Sequence, residues 1–111
     1  MDIIIKSVNF KTNITLENFI REKVSKLHDH CDNIIRADVV LRKQENGSPE
    51  NKLCEIKLMV PGYDHIVKKS TDVYEKSVAQ AVEALQKIIR RRKSWLIAKR
   101  NSNLLHTERI K

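Results

Sequence analysis

The chain has 111 residues, 41% of them hydrophobic and 32% charged, with a formal net charge of +8. That length holds one domain with a modest core. No apolar run is long enough for a membrane-spanning helix, and the opening segment, with Asp2 near its start, is too short for a signal h-region. Two glycines and no GxxxxGK[ST] or GxGxxG pattern argue against a phosphate-cradling loop. Cys31 and Cys54 lack paired spacing and read as free thiols of a reducing cytosol.

Residues 2–8 are short and β-branched, which predicts a first strand. Thr15 is a good N-cap for a helix over about 15–30, with Ile14 and Phe19 placed for a hydrophobic staple. Leu16, Phe19, Ile20, Val24 and Leu27 recur at helical spacing, with Lys23 at the edge of that stripe. Residues 35–43 alternate, Ile35, Ala37, Val39 and Leu41 sharing one face. After the polar loop 44–51, residues 52–60 alternate again, with Cys54, Ile56, Leu58 and Val60 inward. Val60-Pro61-Gly62-Tyr63 fits a type II turn, and a fourth strand over about 63–70 completes a meander. Ser70, Thr71 and Asp72 are all plausible caps for a second helix, and Asp72 with Glu75 has capping-box spacing. That helix carries Tyr74, Val78, Ala81, Val82, Leu85, Ile89 and Leu96 on one face. Lys87, Arg90 and Arg91 lie on the other.

The expected order is β-α-β-β-β-α. One apolar face per strand requires both helices on one side of a single sheet. Chain directions then make the two helices parallel, with both C-termini at one end. Nothing interrupts 72–100, so the second helix is about 43 Å long. A strand of about eight residues spans only about 27 Å, so the helix end projects past the sheet. Residues 1–100 are read as the domain and 101–111 as a flexible tail.

Charge is concentrated in that second helix. Ten of the 22 basic residues and only four of the 14 acidic ones lie in 72–111, a net +6. Arg90-Arg91-Arg92-Lys93, followed by Lys99-Arg100, exceeds what a helix C-terminal dipole attracts and points to a polyanion. The topology brings Lys23 and Lys26 beside Lys87, Arg90 and Arg91.

The pieces Ile3-x-Ile5, Ile14-Thr15 with Ile20, Lys23-x-x-Lys26-Leu27, Ile35-x-Ala37-x-Val39-x-Leu41 and Val60-Pro61-Gly62 occur in a telling order. With Asp72-x-Tyr74-x-x-x-Val78-x-x-Ala81-Val82-x-x-Leu85 and the basic run to Lys93, they make the chain resemble the ribosome hibernation-promoting and ribosome-associated inhibitor family, also called sigma-54 modulation proteins. The resemblance covers about residues 2–93. It implies a fold like that of double-stranded RNA-binding domains. It also implies binding in the decoding region of the small ribosomal subunit, excluding tRNA and mRNA from idle ribosomes. By position, Lys23, Lys26, Lys87, Arg90, Arg91 and Lys93 would contact ribosomal RNA phosphates. Ala84 and Ile88 depart from the Lys and Gln common in related sequences. The chain resembles the short form, without a separate dimerisation domain, and its tail leans towards the hibernation-promoting type.

Four function classes follow. The leading one is a non-enzymatic, cytoplasmic ribosome-binding repressor of translation, monomeric when free, with no cofactor, metal, small-molecule substrate or membrane partner. The second is a generic double-stranded RNA-binding module. The third is a small hydrolase using Asp64, His65 or the His28/His30 pair, which lacks a nucleophile, base and orienter set. The fourth is a protein-binding regulator of transcription. His28-x-His30-Cys31 is a poor metal motif, since no second ligand pair accompanies it. Trp95 either packs under the tail or stacks on RNA.

Overall fold

The computed structural model describes residues 1–110 except 30, 32 and 46, with side chains as far as residue 92. The elements are β1 (Asp2–Val8), α1 (Ile14–Ser25) running into a 3-10 turn (Lys26–Asp29), β2 (Arg36–Lys43), β3 (Lys52–Val60), β4 (Tyr63–Thr71) and α2 (Tyr74–Ile110). They form one four-stranded sheet in the order β1-β2-β3-β4. β1 and β2 pair in parallel from Asp2↔Arg36 to Val8↔Arg42. The other two pairings are antiparallel, Arg36 opposite Met59 and Val60 opposite Tyr63. Gly62, with φ +94°, takes the left-handed conformation that the second central position of a type II turn requires.

The alternation predicted for the strands sets the layers. Ala37, Val39 and Leu41 of β2 and Cys54, Ile56, Leu58 and Val60 of β3 are buried on one face. Leu16, Ile20, Val24 and Leu27 from the first helical segment, and Val78, Ala81, Val82, Leu85 and Ile89 from α2, complete the same core. Both helices therefore cover one face. Phe10, in the loop before α1, stacks on Tyr74 at the start of α2, with ring centroids 4.3 Å apart. At the other end of the sheet, Arg92 lies over the Tyr63 ring. The helices thus start together and run side by side in the same direction. Nineteen residues, 74–92, take α2 across the sheet. The helix continues to Ile110 rather than ending near residue 100, so it projects well beyond the strands, roughly 27 Å for the last 18 residues.

Several local expectations are corrected. Asn13, not Thr15, caps α1: its Oδ1 accepts the Leu16 N–H at 2.8 Å. Moving the cap two residues upstream puts Ile14 inside the helix on its solvent side, 68% exposed, so the staple with Phe19 does not form. Ile35 is 58% exposed, while Ile34, from the incoming loop, is only 5% exposed. The alternation holds within β2, which begins at Arg36, and not one residue outside it.

The start of α2 is also built differently. β4 continues to Thr71, which turns that side chain inward. Val73 occupies the cap position, its carbonyl accepting the Ser77 N–H at 3.2 Å. Asp72 pairs instead with Lys76 at 3.4 Å. The buried Thr71 and Ser77 hydroxyls lie 2.7 Å apart. Ser77 Oγ donates to the Lys52 carbonyl at 2.5 Å, and Thr71 Oγ1 donates to Val73 O at 2.6 Å. These two hydroxyls pin the helix start to the start of β3. Tyr74 is half-buried, as expected of a core residue, and its hydroxyl is buried without a hydrogen-bond partner among the described residues. Burial accordingly raises its pKa.

Candidate RNA-binding surface

Lys23 and Lys26 lie at the C-terminal end of the first helical segment. Lys26 is exposed, whereas Lys23 is half-buried, its Nζ 5.6 Å from the Phe19 ring centroid, a cation–π contact that leaves the charge at the surface. α1 and the turn pack against α2. Since both helices start from one end of the sheet, these lysines sit at about the level of the Lys87–Arg90 turn.

Lys87, Arg90 and Arg91 are all exposed. Lys87 Nζ pairs with Glu83 Oε1 at 3.5 Å, one helical turn back, with both side chains about 60% exposed. Such a pair is weak and gives way readily to a phosphate. Neither Arg90 nor Arg91 has an ion-pair partner among the described residues. The expected convergence on α1 is only part of the arrangement. Arg91 lines a cavity with His65, Ile88 and Arg92 on the β4 side, while α1 lies towards β1. A helix turns about 100° per residue, so successive arginines cannot share one direction. The cations fan across α2 from the α1 flank to the β4 flank. The side chain of Lys93 lies outside the described residues, as does that of Trp95.

Arg92 was not singled out by sequence. It sits seven residues after Leu85 and three after Ile89, on the inner stripe, where an arginine needs a reason to be. The reason is Tyr63: the guanidinium carbon is 3.6 Å from the ring centroid. Tyr63 in turn meets His65 edge-on, centroids 4.8 Å apart. Burial, and then the Arg92 charge, lower the His65 pKa, with Asp64 opposing. An arginine on the apolar stripe was the available signal; the aromatic pair beneath it belongs to another element.

The suggested chemical sites are not assembled. Asp64 and His65 are neighbours in a strand and so point to opposite faces. Asp64 reaches Lys57 at 3.6 Å. Cys54 is fully buried and its pKa is raised to about 12, by desolvation first and then by Glu55, the reverse of an activated nucleophile. His28 is exposed on the 3-10 turn, and His30 lies outside the described residues. Among the described residues no three His, Cys, Asp or Glu side chains are grouped to hold a metal. Among the described residues no helix is long and apolar enough to cross a membrane.

A β-α-β-β-β-α sheet with two parallel helices on one face, and cations fanned over the longer helix, defines an α+β domain whose distinctive surface is electrostatic. Residues 3–96 match the family model described as Sigma 54 modulation protein / S30EA ribosomal protein, and the chain belongs to that family. It is a family of ribosome-associated modulation proteins. The fold is similar to the crystal structure of the Thermus thermophilus Protein Y N-terminal domain, with a TM-score of 0.71 and 21% identity over 82% of this chain and 98% of that one. It is likewise similar to a ribosomal subunit interface protein from Coxiella burnetii, with a TM-score of 0.76 and 15% identity over 85% of this chain and 99% of that one. No curated protein sequence matches the chain.

Proposed function

We propose that this domain is a cytoplasmic translation inhibitor. It binds ribosomal RNA in the decoding region of the small ribosomal subunit and holds idle ribosomes inactive by occupying the path of tRNA and mRNA. The observation that carries this reading is the fan of cations on α2, joined to membership of a ribosome-associated family. Lys87, Arg90 and Arg91 meet solvent with little competition from carboxylates among the described residues, and Lys23 and Lys26 extend the same field. Their role is to neutralise phosphates. Such contacts fix position and affinity without reading sequence, while the sheet-and-helix body supplies the bulk that blocks the channel.

Co-sedimentation with purified small subunits over a salt series tests this. With about five phosphates neutralised, log affinity falls against log salt with a slope on the order of −4. An affinity nearly independent of salt means a protein surface as the partner. Equal affinity for free duplex RNA and for subunits reduces the domain to a generic RNA-binding module.

A further inference from the structure

One cavity combines apolar, aromatic and cationic walls. It is a shallow, open depression of about 350 Å³ lined by His65, Ile88, Arg91 and Arg92. We propose that this cavity receives one unpaired nucleotide of the bound RNA, its base against Ile88 and the His65 ring and its phosphate on Arg91. The proposal rests on the RNA-binding reading above and adds a contact of a different kind.

Each wall has a property that a phosphate contact alone does not explain. Ile88 is a half-buried aliphatic side chain that packs partly against the core and also lines the cavity, next to the exposed Lys87, Arg90 and Arg91. A phosphate gains nothing from it; the face of a base does. His65 sits with its pKa lowered by burial and by Arg92. Both influences favour the neutral imidazole, which offers one donor and one acceptor, the mixture that a base edge can match. Arg92 is held over Tyr63, its guanidinium carbon 3.6 Å from the ring centroid, which makes it a planar, cationic wall of the cavity. Arg91, beside it, is exposed and has no carboxylate partner among the described residues. A duplex cannot use this arrangement, because its bases are stacked inside the helix. Only a loop, bulge or single-stranded segment can place a base against side chains.

The test uses the full chain with Ile88 methyl and His65 ring resonances followed by NMR. Three probes are titrated: adenosine monophosphate, ribose 5-phosphate and inorganic phosphate. Adenosine monophosphate is expected to shift the Ile88 methyl and His65 ring by ring current, and the other two only the arginine side chains. His65→Ala, and Arg92→Lys, which keeps the charge but loses the planar guanidinium, are each expected to weaken binding to small subunits about tenfold, the scale of one stacked base. Thermal melting shows that each remains folded at the assay temperature. Lys87→Ala with Arg90→Ala, outside the cavity, keeps the nucleotide shifts while losing subunit affinity. Equal Ile88 shifts with all three probes, or none with adenosine monophosphate, overturn the proposal. So does full subunit affinity in both cavity variants. Wild-type protein that shows the nucleotide shifts but does not sediment with subunits would instead sink the ribosome reading and leave the pocket standing.

Discussion

At the scale of single residues, the environment decides what a side chain can do. Cys54 and His65 occupy inward positions on neighbouring strands, yet burial acts on them in opposite directions. It favours the neutral form in each, raising the thiol and lowering the imidazole. For His65 this has a measurable consequence. Its NMR titration midpoint falls below 6.5, and Arg92→Ala moves it part of the way back, since burial remains the larger cause. Because the folded-state pKa is depressed, the contribution of His65 to stability is present above pH 6.5 and is lost as pH falls through the folded value. A midpoint at or above 6.5 in the wild type would contradict the packing of Tyr63, His65 and Arg92. Residue types made the basic run plain in the sequence. They did not reveal Arg92 as a stacked residue, because its partner Tyr63 is 29 positions away and reaches it only through the sheet.

At the scale of elements, hydrogen bonds at the helix starts hold the layers in register. The Asn13 cap predicts that Asn13→Ala costs about 1 kcal/mol in urea unfolding. Thr15→Ala, which would be the damaging change if Thr15 were the cap, stays within about 0.5 kcal/mol. The reverse ranking would move the helix start. Ser77 is a stronger case, since its hydroxyl donates from α2 to the Lys52 carbonyl and packs against the Thr71 hydroxyl. Removing it leaves buried acceptors unpaired, and Ser77→Ala is expected to destabilise the domain by about 1–3 kcal/mol. Denaturant midpoints with unchanged m-values check this. Strand and helix identities were legible from periodicity alone, and the boundaries of β1 and β3 agree with it. Caps were less legible: Thr15, Ser70, Thr71 and Asp72 all have the right chemistry, yet Asn13 and Val73 hold the cap positions. Which one caps depends on where the chain leaves the preceding strand.

At the scale of the whole molecule, the fully buried and the fully exposed residues of α2 are distinct, and substitutions can separate folding from the proposed binding. Replacing Lys87, Arg90 and Arg91 together by Ala removes exposed side chains whose only described ion pair is the weak one to Glu83. Each change is expected to cost within about 0.5 kcal/mol, while the triple variant loses nearly all ribosome binding. Leu85 is fully buried, so Leu85→Ala costs about 2–5 kcal/mol and leaves the charged surface intact. Melting and co-sedimentation on both variants, the second well below its melting temperature, give the comparison. A triple variant that still pellets with subunits and still blocks translation in an extract would make the cations an ordinary solvated surface.

What the sequence determined by itself was the element order, the shared face of the two helices and the excess of positive charge on the longer one. These follow from local periodicity, from the need to bury one apolar face per strand, and from counting charges along the chain. The tertiary structure decided the rest. It placed the cap of α1 at Asn13 instead of Thr15, set Ile34 rather than Ile35 into the core, carried α2 on to Ile110 and spread the arginines from α1 to β4. It also built the cavity of His65, Ile88, Arg91 and Arg92. The physical reason is common to all of these. Pairing across the sheet and the 100° step of a helix set distances between residues far apart in the chain, and no local pattern encodes such distances.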